Sequence, residues 1–398
     1  MPAATVAKNQ ACPECGATVV DVAGFIAWCT TCDWNVDPSP QRDTRGFFSR
    51  RAARGSERAA RRLASLLFGA FGVLALGFGL WVPFRLFIGT FLLAVALYAQ
   101  PFRRRSPHYV GPLYLRPEEA PTLYALVGRV ADALGAPKPD RIGIDWRYNA
   151  SFGRRPGAKR GLVLGASLWT VLSPPERVSI IGHELGHSLN GDQRRKRPVR
   201  LAIVSLAHWH SLFRPEGSRG PLRHAPGLSG TLAAIVLPLV LVPLAVITYG
   251  LAWALRVVGA RHGMASEYYA DELGARAAGP GAAASCLEKF LVGRVCTDFV
   301  LHTARFGKPG DLWISLKQFA DDIPATEIER QRRIGRLRLP SIDSEHPPSQ
   351  LRADVLMSKP PFPALVRTTD AEQNAIDMEL APAMLEVARR LHTRVTVG

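Results

Sequence analysis

The chain has 398 residues, long enough for more than one buried core, and its 50 Lys and Arg against 33 Asp and Glu give a formal charge of +17. That balance selects nucleic acid or an anionic membrane surface as partner, and arginines set beside long apolar runs with few interleaved aromatics argue for the membrane, so no nucleic acid is expected. Six cysteines, four of them in C-x-x-C pairs, read as metal ligands in a reducing compartment rather than as a secreted disulfide framework.

In chain order, residues 1–40 hold Cys12-Pro13-Glu14-Cys15 and Cys29-Thr30-Thr31-Cys32, with thirteen residues between the pairs. Each pair is a knuckle presenting two thiolates to one tetrahedral zinc, so the segment reads as a zinc ribbon; paired redox sites are the alternative. A site closed by four cysteines has no open position, which assigns it to folding or to docking a partner protein. These residues are polar before any apolar core begins, so no cleavable signal peptide is expected. Residues 41–62 form a basic linker that includes Arg50, Arg51, Arg54, Arg58, Arg61 and Arg62. Residues 63–102 are two apolar runs broken at Pro83-Phe84-Arg85 and closed by Arg103-Arg104-Arg105, a transmembrane helical hairpin by length. Arginines at both outer ends place the ribbon and the chain after Arg103 on the cytoplasmic side of the membrane.

Residues 103–200 begin with a helical pattern around Leu123, Leu126, Val127, Val130 and Leu134, stopped by Gly135 and Pro137. Strands are expected at Arg141 to Asp145 and Gly161 to Gly165. Ser173-Pro174-Pro175-Glu176 then reads as a capping box that opens a helix, with Asn190-Gly191 as its stop. Residues 201–260 are a membrane-associated insertion: Leu201 to Phe213 is apolar but short for a span, and Thr231 to Leu255 is uncharged with Pro238 and Pro243 inside. Either both segments cross the bilayer or neither does, and a proline-bent re-entrant or interfacial hairpin is the favoured form. Residues 261–398 read as helical, with a helix end at Gly279-Pro280, a helix over Cys286 to Val300, and a last one over Asp370 to Leu391.

The capped helix carries His183-Glu184-Leu185-Gly186-His187. At about 100° per residue the two histidines lie one turn apart on one face, where they share a metal ion, while Glu184 is displaced toward a water on that ion. A catalytic zinc takes three protein ligands, and the third candidate is Glu267 in Glu267-Tyr268-Tyr269-Ala270-Asp271. Asp271 follows one turn later, placed to accept a ligand histidine's free ring N–H.

These motifs, with His346-Pro347-Pro348 and Arg352 downstream, resemble the integral-membrane zinc metallopeptidases of the heat-shock protease HtpX and CAAX prenyl protease type. Asn149-Ala150-Ser151-Phe152 is similar to that family's edge-strand element, with a shift of one residue. The resemblance covers roughly residues 105 to 355 and leaves out the ribbon. It implies an α+β, mostly helical fold of gluzincin type with a small sheet, in which Asn149, Ala150, Ser151 and Arg352 meet substrate and His346 donates to the oxyanion. It also implies Glu184 as general base, one catalytic zinc beside the structural one, and polypeptide substrates, with membrane proteins under quality control the best fit. The expected location is the inner membrane with the site facing the cytoplasm. The competing reading is a membrane-anchored zinc protein that scaffolds a partner without cleaving it.

Overall fold

The computed structural model describes residues 8–37, 62–67, 69, 111–155, 158–189, 192–213, 228–337 and 347–397. All of the basic linker except Arg62, all of the hairpin except residues 63–67 and 69, the loop 214–227 and the helix stop at Asn190-Gly191 lie outside these. The chain divides into two compact units, residues 1–45, 107–190 and 266–398 in the first and residues 46–106 and 191–265 in the second.

The first unit begins with a hairpin, β1 (Lys8–Ala11) antiparallel to β2 (Thr18–Asp21). Its main sheet has the order β3 (Leu113–Leu115), β4 (Arg141–Asp145), β6 (Ala158–Gly165), β5 (Ala150–Arg155). β4 and β6 run parallel, and the flanking pairs are antiparallel, which leaves β5 at an edge. Helix α1 (Pro121–Leu134) opens on a proline, which suits the first turn, and buries Leu123, Leu126, Val127, Val130 and Ala131 on one face. Gly135 ends it at φ 65°, the left-handed conformation that favours glycine.

After the short α2 (Ala166–Val171), the motif helix α3 (Pro174–Leu189) starts where the Glu176 carboxylate accepts the Ser173 N–H at 2.7 Å, one half of a capping box. Its residues from Glu176 to Gly186 are all buried, so its polar side chains are held inside the protein. The core around it gathers Leu123 and Leu126 of α1, Ile142 and Leu162 of the sheet, Trp169, Ile181 and Leu185. It extends to Ile376 and Leu380 of the C-terminal helix α11 (Asp370–Val397). Between them run α6 (Pro280–Lys289), α7 (Gly293–Phe306), α8 (Leu312–Asp321), α9 (Ala325–Leu337) and α10 (Ser349–Met357). Cys286 and Cys296 are buried free thiols in this core, as expected of cysteines without metal-ligand spacing.

The second unit contains residues 62–67, helix α4 (Asp192–Phe213) and the first part of helix α5 (Leu228–Ala278). Ala64, Ala202 and Leu255 form its buried cluster, with Leu63, Leu67, Val199, Ile203 and Leu206 packed against it. The hairpin expected at Pro238 and Pro243 is not formed: α5 runs without a break over 51 residues. Each proline removes one backbone donor without ending the helix, as apolar spans tolerate, and the boundary expected near residue 260 falls inside the same helix. Residues Leu241–Ala278 are, among the described residues, the one helix long and apolar enough to cross a membrane by length and composition.

The last turns of α5 lie in the first unit and pack on α3 through residues without side chains. A first side-chain carbon at Gly182 would stand 2.9 Å from Ala277 Cβ, and at Gly186 it would stand 3.2 Å from Ala270 Cα. At Gly274 it would meet the Ser179 carbonyl oxygen at 2.8 Å. Backbone cannot yield as a side chain does, so Gly274→Val should destabilise the fold by about 2–3 kcal/mol through overpacking. Gly281→Ala, at a position with no atom within 4 Å, should be neutral or slightly stabilising, and paired urea unfolding curves test the contrast.

Candidate metal centre

The helical spacing of His183 and His187 places their Nε2 atoms 3.2 Å apart with the rings edge to face. Glu267, on α5, brings Oε2 to 3.8 Å from His183 Nε2 and Oε1 to 3.6 Å from His187 Nε2. A zinc ion bound at about 2.0–2.1 Å in tetrahedral geometry needs ligand atoms roughly 3.3–3.4 Å from one another, and the nearest approaches of the three side chains, with a different glutamate oxygen toward each histidine, lie within about half an ångström of that. Asp271 stands one turn after Glu267, its Oδ1 3.0 Å from His183 Nδ1. That contact puts the proton on Nδ1 and turns the Nε2 lone pair toward the metal position.

Arg352 is the residue expected at the substrate. It is buried, and its guanidinium holds Asp271 through two bonds of 2.7 and 2.5 Å and stands 3.4 Å from Glu267 Oε2. Asp271 lies between that guanidinium and the His183 ring. Burial opposes the charge on Arg352, and the carboxylates of Asp271 and Glu267 raise its pKa in spite of it. Arg352 is therefore the counter-charge of the ligand shell, a role that the resemblance did not specify.

Glu184 is 7 % exposed and its Oε2 accepts the Phe152 backbone N–H at 2.8 Å. This ties the carboxylate to β5, the edge strand. Ala150 and Ser151 lie in that strand, while Asn149 precedes it and turns its side-chain oxygen onto the Ala150 N–H at 2.9 Å. The Phe152 N–H was the part of this arrangement that motif reading missed, since a backbone donor leaves no mark in residue type. His346 lies outside the described residues.

A second donor cluster sits in the N-terminal module. The Sγ atoms of Cys12 and Cys32, and of Cys15 and Cys29, are 3.6 Å apart, and all four lie within 4.8 Å of one another. Tetrahedral zinc–thiolate bonds of about 2.3 Å require roughly 3.8 Å between sulfurs, so this set also fits one ion. Among the described residues these are the two groups able to hold a metal.

Against known families, the model of Peptidase family M48 matches residues 117–359, more than half of the sequence, and spans both histidines, Glu184, Glu267, Asp271 and Arg352. The chain belongs to peptidase family M48. The ribbon lies outside the match. Among curated relatives, a protease HtpX homolog of Thermococcus sibiricus is 32% identical over 180 residues, 44% of this chain and 58% of the relative. One from Pyrobaculum aerophilum is 26% identical over 264 residues, 63% of this chain and 71% of the relative. One from Syntrophobacter fumaroxidans is 27% identical over 183 residues, 44% and 60% of the two chains. The chain thus spans under two thirds of the length of the Thermococcus and Syntrophobacter relatives. No solved structure matches.

Removing the M48 chain's buried guanidinium leaves two carboxylates without their counter-charge. Arg352→Ala should cost about 3–5 kcal/mol in urea unfolding, and it should weaken metal retention by roughly 10- to 100-fold in a chelator competition. Arg352→Lys keeps the charge but not the two-pronged geometry and should fall between.

Proposed function

We propose that this chain is a membrane-bound zinc endopeptidase that acts in the quality control of membrane proteins. The observation that carries the reading is the convergence of His183, His187 and Glu267 on one point, with Glu184, the neighbour of His183 in the chain, tied to an edge strand. The M48 family match and the likeness to protease HtpX homologs support it. Zinc is supported as the ion by the donor set of two imidazoles and a carboxylate.

A zinc ion held by His183, His187 and Glu267 supplies Lewis acidity toward a water molecule and the scissile carbonyl. The chain's own groups do the rest. Glu184 takes a proton from the attacking water onto a carboxylate oxygen as the new C–O bond forms, and delivers it to the leaving amine nitrogen as the C–N bond breaks. Asp271 keeps the His183 proton on Nδ1 throughout, and Arg352 supplies the positive charge beside Asp271 and Glu267. An extended polypeptide joins the sheet at β5 by strand addition, which brings its backbone alongside the Phe152 N–H that Glu184 accepts. His346 is the proposed further donor to the developing oxyanion.

Membrane attachment is supported by the apolar helix Leu241–Ala278, on which Val246, Ile247, Tyr249 and Trp253 are all more than half exposed. With the apolar runs of residues 63–102 and their flanking arginines, it supports an inner-membrane protein whose site and ribbon face the cytoplasm. Such a protein meets lipid on one side and loosely folded polypeptide on the other. A non-cleaving scaffold has no use for Glu184, which is buried on the same helix next to His183 without being one of the three candidate ligands.

Glu184→Gln separates the two readings. The variant should keep two zinc ions per chain by elemental analysis while losing at least about 10²- to 10⁴-fold in the rate of cleavage of a loosely folded substrate. Cleavage at the parent rate would remove Glu184 from the reaction and return the site to a structural role.

A further inference from the structure

The N-terminal module is bound to the peptidase unit through its metal-shaped part. Trp28, next to Cys29, is buried against Val36 and Ile334, and its indole N–H donates to the Thr326 carbonyl at 3.2 Å. The Arg333 guanidinium stacks on the Trp28 ring with its central carbon 4.9 Å from the centroid, and donates to the Thr30 carbonyl at 2.8 Å and to Asp33 at 2.5 Å. Arg330, paired with Glu327 in a buried site, donates to the Val36 carbonyl at 3.1 Å. Every one of these contacts joins residues 28–36, the second knuckle and its turn, to α9.

The knuckle's shape depends on its sulfurs. The module's own buried apolar cluster is Cys12, Val19 and Cys29, too little to hold a fold without a metal. Asp33 and Asn35 both adopt left-handed backbone conformations, with φ of 60° and 59°, inside the turn that presents Trp28, Asp33 and Val36. Helix α9 in turn grips α10. A first side-chain carbon at Gly335 would lie 2.7 Å from Gln350 Cβ, and Arg336 makes two bonds of 3.0 and 3.1 Å to Asp354. Helix α10 carries Arg352.

We propose that the ribbon is a brace for the catalytic centre: the metal-loaded second knuckle clamps α9 through Trp28 and Arg333, α9 holds α10, and α10 holds Arg352 against Asp271 and Glu267. Trp28 and Arg333 are then positioning residues for a site they do not touch. Loss of the ribbon metal, by chelation or thiol chemistry, lowers retention of the metal held by His183, His187 and Glu267. The inference rests on reading those three residues as a metal centre, and it makes the cysteine module a condition of that centre rather than a free recruitment tag.

The test uses the full chain in detergent loaded with Co²⁺. Thiolate-to-cobalt charge transfer reports the cysteine site alone, and release of the second ion to EDTA reports the other. In the Trp28→Ala/Arg333→Ala double variant the charge-transfer band should persist, amide exchange over residues 325–357 should rise, and the second ion should leave about tenfold faster, as when an outer partner of a metal ligand is lost. Trp28→Phe/Arg333→Lys keeps an aromatic ring and a charge but loses the indole N–H and the planar fork, and should fall between the parent and the double alanine variant. Release of the second ion at the parent rate, with exchange over α9 raised, overturns the brace. If the double variant loses the band, Cys12→Ser gives the same comparison with the ribbon metal gone, and an unchanged release rate there is equally decisive. A parent chain that takes up cobalt only at the cysteines overturns the metal-centre reading itself, and does so before any substitution is made.

Discussion

The distance between two helix backbones governs this protein. Helix α3 supplies two histidines and α5 supplies a glutamate, and the three can share one small ion only if the helices touch nearly backbone to backbone. Gly182, Gly186 and Gly274, with Ala270 and Ala277, make that contact possible. Larger residues at these places would hold the helices apart by more than the about half an ångström that separates the observed donor spacings from the tetrahedral ones. The packing of the sheet and of α1 on the other side of α3 then keeps the motif helix from retreating.

Charge is the second constraint, and it acts on what the packing brings together. Glu184, Glu267 and Asp271 are all buried, and Arg352 compensates two of them directly. Three buried acidic side chains and one guanidinium form a set whose charge a divalent cation would balance. The costly burial of Arg352 therefore makes sense as part of a metal shell. In isolation the same pair would be weak evidence for stability.

Much of this was legible from short stretches. The HExxH helix, its capping box at Ser173 and Glu176, the glycine that ends α1, and the strands at Arg141–Asp145 and up to Gly165 all follow from local chemistry, and each is found where local rules put it. Glu267 and Asp271 were accessible because a turn of helix relates them to each other and the metal demands a third ligand. The helices α8 and α9 were not, since neither carries a long apolar run and their burial depends on partners distant in the sequence. The same holds for Arg352, whose pairing spans 81 residues, and for Trp28, whose indole reaches Thr326. Pro238 and Pro243 suggested a break that the helix does not show, because a proline's local cost decides a helix's fate only where the surroundings offer the chain a better alternative.

The separation of the ligand shell along the chain has a consequence for how the protein comes into being. His183 and His187 leave the ribosome long before Glu267, and Asp271 before the guanidinium that neutralises it. Until Arg352 has emerged, the carboxylates have every reason to stay in water, and closing the helices on them carries the full penalty of an uncompensated buried charge. The ligand shell is thus completed only when one of the later helices has joined the first unit.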